Sequence, residues 1–246
     1  GQGRHVSAEQ AQSPQASGED SPAPPGWQRP AAEDLNALAW LHRKEHAPDV
    51  LVSLNANGFP ATLALVAAEH PASRAMDAAL QALAGHGDGS VPGSSPDDLA
   101  ADYAAIYLTY ALRASPCESV WLDEDHLVMQ GPTFAVREFY QRHDVQAPDW
   151  RAMSDDHITH ELQFVALLLE RGEEREAARF LKQHLMAWLP DFAQRVGQRA
   201  ETPFYAALAA LTLAACEQCQ RWLPKVAVMP RVTVETDANV PPGCDA

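Results

Sequence analysis

The chain has 246 residues, 46% of them hydrophobic, and a formal net charge of −15. That length allows one large domain or two small ones, with a core that needs no covalent staples. An excess of acids over Lys and Arg excludes charge-driven binding to nucleic acid or to an anionic membrane surface, and leaves a basic peptide or protein as a suitable partner. Ala and Leu dominate the apolar residues, which favours helix because they lose least on entering one. The cysteines, Cys117, Cys216, Cys219 and Cys244, are too few for a disulfide scaffold and read as free thiols. No apolar run reaches membrane-span length and no basic region precedes an apolar stretch at the N-terminus, so the expectation is a cytoplasmic protein without stable membrane insertion.

Residues 1–30, rich in Gln, Ser, Pro, Gly and Ala, are expected to be a disordered arm. Leu35, Leu38 and Leu41, with Ala39 and Trp40, predict an amphipathic helix that stops before Pro48. Val50, Leu51 and Leu54 predict a short helix ending near Gly58. Pro60 reads as a first helical residue, with Leu63, Leu65 and Val66 following. Met76, Leu80 and Leu83 repeat at helical spacing, and the stretch from Gly85 to Pro96 is a loop by composition. Ser95 then reads as a cap, with Pro96 in the first turn and Asp97 and Asp98 at the positive end of the dipole. Leu99, Tyr103, Ile106 and Tyr107 lie on one face of that helix.

A loop around Pro116 follows, and after the Gly131-Pro132 break Val136, Phe139 and Tyr140 mark another helix. A connection near 145–154 contains Pro148. Ser154 is expected to open a helix bearing Ile158, Leu162, Val165 and Leu169, closed by Gly172. Phe180, Leu181, His184, Leu185 and Trp188 line the next, which Pro190 kinks or ends. Thr202-Pro203 starts the last, carrying Tyr205, Leu208, Leu211 and Trp222. The tail 225–246 is expected to be a poorly ordered arm, although Val226, Val228, Val232 and Val234 alternate as in a short extended piece. No fixed-period repeat is present. The expected architecture is all-α, an irregular multi-helix bundle over residues 31–224.

The densest polar cluster is Asp155, Asp156, His157, His160 and Glu161. On a helix, His157 and Glu161 share a face, as do Asp156 and His160. Three readings stand side by side: a metal site, a capped first turn, and a recognition surface at a helix N-terminus. An acid in such a first turn is worth about 0.3–1 kcal/mol to the fold through the dipole. The zinc pattern of two His at i, i+4 with an intervening Glu is missing, as are the paired Glu-x-x-His motifs of di-iron bundles. Cys216 and Cys219 form a lone Cys-x-x-Cys in a helical context, which reads as ordinary thiols. No phosphate loop, nucleophile elbow or Walker lysine occurs.

The ordered set Asp102-Tyr103…Ile106-Tyr107, Pro116-Cys117-Glu118-Ser119-Val120, Asp156-His157-x-x-x-Glu161-Leu162, Phe180-Leu-x-x-His184-Leu-x-x-Trp188 and Phe204-Tyr205 resembles the TorD/DmsD/NarJ family of redox-enzyme maturation chaperones. The resemblance runs from about residue 35 to about residue 223. It departs from the family pattern at Leu108-Thr109-Tyr110-Ala111, at Cys117 and at Ser154-Asp155. It implies an all-helical cytoplasmic chaperone, not an enzyme, with no cofactor and no metal. It implies as partners the twin-arginine leader peptide and the catalytic subunit of a molybdenum-containing oxidoreductase, held until cofactor insertion and assembly are complete; a homodimer is compatible with it. Leader contact is implied for Pro116, Glu118, Ser119, Asp156 and His157, with an aromatic at Tyr103 or Tyr107, and Glu161 stands in the same motif.

Residues 97–161 hold thirteen acids and four arginines, a net of −9 within the chain's −15. Carboxylates take guanidinium bidentately, so this segment is expected to form the acidic rim of an apolar groove. The rival classes are a metal-dependent hydrolase using the Asp156–Glu161 cluster and a generic helical interaction scaffold.

Overall fold

A computed structural model of the protein describes residues 21–85, 91–123, 125–126 and 131–228. Among these residues every regular element is helical. In chain order they are α1 (Gln28–Arg43), α2 (Pro48–Ala56), α3 (Pro71–Gly85), α4 (Pro96–Tyr103), α5 (Glu118–Leu122), α6 (Gly131–Arg142), α7 (Ile158–Glu170), α8 (Glu174–Phe180), α9 (Met186–Arg199) and α10 (Pro203–Trp222). A π-helical turn, Ala104–Leu108, extends α4, and another, Leu181–Leu185, joins α8 to α9. The all-α architecture expected from the sequence is the one observed. The alternating valines at 232 and 234, most of the two arms, and Cys244 lie outside the described residues.

The capping chemistry sets the helix ends. Ser95 accepts from the Asp98 N–H and the Asp98 side chain reaches back to the Ser95 N–H, a reciprocal capping box that starts α4 as read from the sequence. Gly172, at φ +73°, closes α7: its N–H bonds to Leu169 O and the Glu173 N–H to Leu168 O, which satisfies two carbonyls that the helix end leaves open. Thr202 caps α10 through the Tyr205 N–H.

One helix read from the sequence is corrected by the structure. The segment after Pro60 is a series of turns, not a helix. Gly58, at φ +104°, turns the chain out of α2, and the buried Leu65 N–H is satisfied by the Asp34 carboxylate at 2.8 Å, a bond that replaces the helical ladder. Of the two alternatives for Pro190, ending the helix is not the one observed: the helix runs through it to Arg199. Ahead of α1, Trp27 is buried and meets Trp222 edge-on with ring centroids 5.5 Å apart.

One apolar cluster runs from Trp27 to Leu223. Helix α1 packs along α7, while α10 lies against α3 and α9. Phe180, Trp188, Phe192 and Phe204 are among its largest fully buried side chains, and each aromatic of this kind contributes about 3–5 kcal/mol on the scale of truncation to Ala. No helix among the described residues is long and apolar enough to cross a membrane.

Candidate functional site

The motif segments around Pro116 and Asp156 are brought together although about forty residues separate them. Ile158 N–H donates to Pro116 O at 2.7 Å and Glu118 N–H to Asp156 O at 3.0 Å, and Cys117 and His157 form an isolated antiparallel bridge. The Asp156 carboxylate accepts from the Ser119 N–H at 2.7 Å and from the Ser154 hydroxyl. Ser119 lies in the first turn of α5, whose own N-cap, Cys117, offers no side-chain bond. Asp156 therefore caps α5 from another part of the chain, where the free N–H groups and the positive dipole end favour an anion.

The helix after Asp156 starts later than the sequence suggests. Helix α7 begins at Ile158, so Asp155, Asp156 and His157 precede it and do not form its first turn. His157 is the cap: its Nδ1 accepts from the Thr159 N–H at 3.1 Å. A lone pair is thus required on that nitrogen, and burial lowers the imidazole pKa to about 3. Asp155 turns away to bind Arg137, with Nη2 at 2.6 Å. The residues expected to share a helical face are therefore distributed over different partners.

This predicts a pH signature. A group whose folded pKa is depressed from 6.5 to about 3 binds fewer protons in the folded state across that interval, so its contribution to stability is lost as pH falls. His157→Asn keeps a cap acceptor and removes the titration. The stability gap between wild type and this variant should shift against wild type by about 1.4 kcal/mol per pH unit below 6.5. Urea denaturation at pH 7.5, 6 and 5 checks this; parallel curves would show that His157 is not held neutral.

Glu161, on the buried face of α7, does not pair with His157. It meets Glu118 of α5 and His184 of the second π-helical turn, and one ligand-type atom from each of the three lies within 4.8 Å of the others. His184 Nδ1 sits 3.1 and 2.9 Å from the two oxygens of Glu118. Trp188 Nε1 donates to Glu161 Oε2 at 3.1 Å. All three residues are fully or almost fully buried. Burial, then the Glu118 and Asp156 charges, raises the Glu161 carboxyl well above the usual carboxylate range. His184 is the member that sequence reasoning missed. Its signals were its place in the Phe180-Leu-x-x-His184-Leu-x-x-Trp188 motif and in an otherwise apolar helix face, neither of which says what lies opposite.

Tyr103 and Tyr107 stack with ring centroids 5.0 Å apart, and Tyr205 approaches Tyr107 at 6.1 Å. Tyr107 is buried and its hydroxyl lies 2.6 Å from His42 Nδ1, with Thr212 Oγ1 2.8 Å from His42 Nε2. Tyr103 is half-buried and is the more accessible of the pair. Asp102, beside them, ties α4 to the start of α10 by accepting from the Glu201 and Thr202 N–H groups and the Thr202 hydroxyl.

In front of this buried network lies a cavity of about 600 Å³, lined among the described residues by Tyr110, Arg113, Ser115, Val120, Trp121, His126 and Arg195. Trp121 is fixed by its Nε1–H bond to Ser115 O, and Arg195 lies over its ring at 4.5 Å. Leu108 and Tyr110 are exposed beside it, at 62% and 42%. The acidic rim expected from charge counting is reduced, because the motif acids themselves are buried. Of the thirteen acids in 97–161, Asp102, Glu118, Asp155, Asp156 and Glu161 are buried. Of those that stay accessible, Asp123 and Asp125 adjoin His126 at the cavity in sequence.

Cys216 and Cys219 are buried on α10 and unbonded, as is Cys117. Burial raises the Cys219 thiol to about 12 and raises those of Cys117 and Cys216 well above the ordinary thiol range, which keeps all three protonated and unreactive.

Residues 69–194 match the family model described as nitrate reductase delta subunit. Among curated proteins, the Tat proofreading chaperone DmsD of Salmonella typhi is 36% identical over 124 residues, covering 49% of this chain and 60% of that protein. The chaperone protein TorD of Vibrio vulnificus (strain YJ016) is 30% identical over 131 residues, 48% of this chain and 61% of the relative. TorD of Vibrio cholerae is 30% identical over 141 residues, 52% and 64% respectively. The chain thus spans about three fifths of the length of the curated relatives it matches.

Proposed function

Because the chain belongs to the nitrate reductase delta subunit family, the TorD/DmsD/NarJ group, we propose that it is a cytoplasmic maturation chaperone and not an enzyme. Its client is the apo form of a molybdenum-containing oxidoreductase subunit, recognised through a twin-arginine leader and held until the cofactor is in place. The observation that carries this reading is the cavity at Tyr110, Val120 and Trp121, set directly on the loop whose motif residues the resemblance implicates. Such a cavity suits the apolar stretch of a leader, with aromatic walls that bury large area at low entropic cost.

The eight motif residues divide into two roles. Tyr103 is accessible enough to touch a peptide. Tyr107, Pro116, Glu118, Ser119, Asp156, His157 and Glu161 are buried and act as positioning residues that hold the Pro116–Trp121 loop in one shape. Asp123 and Asp125, with the net charge of −15 behind them, supply the attraction for the two arginines.

Calorimetry with a leader peptide tests the reading. A Kd near micromolar, about −8 kcal/mol, is expected, weakening as salt rises because exposed charges are screened. Trp121→Ala should weaken binding by roughly tenfold or more, the loss of one packed aromatic anchor. Equal binding of a peptide with both arginines replaced by Gln would remove the leader from the proposal. Unchanged binding by Trp121→Ala would move the site away from this cavity.

A further inference from the structure

The interior around α5, α7 and the second π-helical turn holds more carboxyl groups than cations. Glu118, Asp156 and Glu161 are each buried, and Glu118 and Asp156 both bear electrostatically on Glu161. Arg137 is turned to Asp155, which leaves the His184 imidazole as the basic group in contact with Glu118 and Glu161. Buried anions of this kind require compensation, because desolvation penalises each by several kcal/mol. Asp156 has its compensation in the Ser119 N–H, the Ser154 hydroxyl and the α5 dipole. Glu118, Glu161 and the His184 imidazole converge from three elements, and the buried Glu161 Oε1 has no hydrogen-bond partner among the described residues.

We propose that Glu118, Glu161 and His184 form a closed structural site for one divalent transition-metal ion. The donor set is two carboxylates and an imidazole, which suits Zn²⁺, Mn²⁺ or Fe²⁺ and not a thiolate-selective ion. The near-symmetric approach of His184 Nδ1 to both Glu118 oxygens, at 3.1 and 2.9 Å, fits neighbouring ligands on a common ion with Glu118 bidentate. With one oxygen from Glu161 this makes four donors, so no open position is left for a reacting water, as in structural sites. Trp188 Nε1–H on Glu161 Oε2 orients that carboxylate from behind. The ion would join α5, α7 and the α8–α9 helix, and so fix the loop that floors the cavity. It would not make the protein a hydrolase.

Because the site is enclosed, loading is tested through folding. The full chain is unfolded in urea with a chelator, refolded with or without Zn²⁺ at modest excess, desalted, and analysed for metal. About one zinc per chain is expected, with Tm raised by roughly 8 °C or more. Glu161→Gln keeps the shape of the side chain but is a poor ligand; it should refold and retain less than about a tenth of an equivalent. A variant with Cys216 and Cys219 changed to Ser should retain the zinc, and X-ray absorption should show only oxygen and nitrogen neighbours. No stoichiometric zinc in the wild type, equal zinc in Glu161→Gln, or sulfur ligation would each overturn the proposal. Leader binding measured on the metal-free chain is a separate result, so failure here leaves the chaperone reading standing.

Discussion

His184→Ala is expected to destabilise the protein by about 3–5 kcal/mol, the scale of removing one partner from a buried ion pair. The substitution leaves the Glu118 carboxylate enclosed at 0% exposure, with its imidazole partner gone and Glu161 still beside it. It also removes a ring that packs on Phe139 and Phe180 at 5.3 and 5.2 Å. For a chain of this length each kcal/mol moves Tm by about 2–4 °C, so a fall of roughly 6–20 °C is expected in a thermal melt. Adding Glu118→Gln separates the two causes. If the uncompensated charge dominates, neutralising Glu118 recovers a large part of the loss and the double-mutant cycle is strongly non-additive. If the two losses simply add, the ring packing carries the effect and the electrostatic account is wrong.

Asp156→Ala is the second large effect. An exposed first-turn acid would cost the fold about 0.3–1 kcal/mol when removed. Asp156 is instead fully buried and holds the first turn of α5 by the Ser119 N–H. Its removal leaves the buried Ser119 N–H without this acceptor, and an orphaned buried donor costs about 1–3 kcal/mol, with a lost cap adding about 1 more. We expect a total loss of about 2–4 kcal/mol on the same basis. Asp156→Asn retains an oxygen for the Ser119 N–H and relieves the charge pressing on Glu161, so it should cost distinctly less. Urea denaturation of both variants checks the order, and amide exchange at Ser119 should accelerate in the Ala variant alone. If Asp156→Ala leaves stability intact but abolishes leader binding, the carboxylate contacts the peptide directly and its structural role is refuted.

How far the sequence reaches is visible in particular residues. Ser95-Pro96-Asp97-Asp98, Thr202-Pro203 and Gly172 marked helix ends correctly, because caps are local chemistry within four residues. The apolar spacing of Leu35, Leu38 and Leu41, or of Ile158, Leu162, Val165 and Leu169, gave the all-α class for the same reason: a helix period is written along the chain. Where the backbone bonds to something distant, the reading failed. Residues 60–66 look helical, but Leu65 N–H is taken by Asp34 from α1.

For the candidate site the division is sharper. The motif residues were legible by type and order. Their exposure was not legible. Glu118, Asp156 and Glu161 count as three surface charges in a composition and as three buried groups in the fold. His184 sits 66 residues from Glu118 in the chain and 2.9 Å from it in space. Sequence alone determined the helical class, the locally capped helix ends and the family pattern, since those depend on neighbours within a turn or two. Tertiary structure alone decided which acids lose their water and which imidazole answers them, because desolvation is set by what packs on a group from every side.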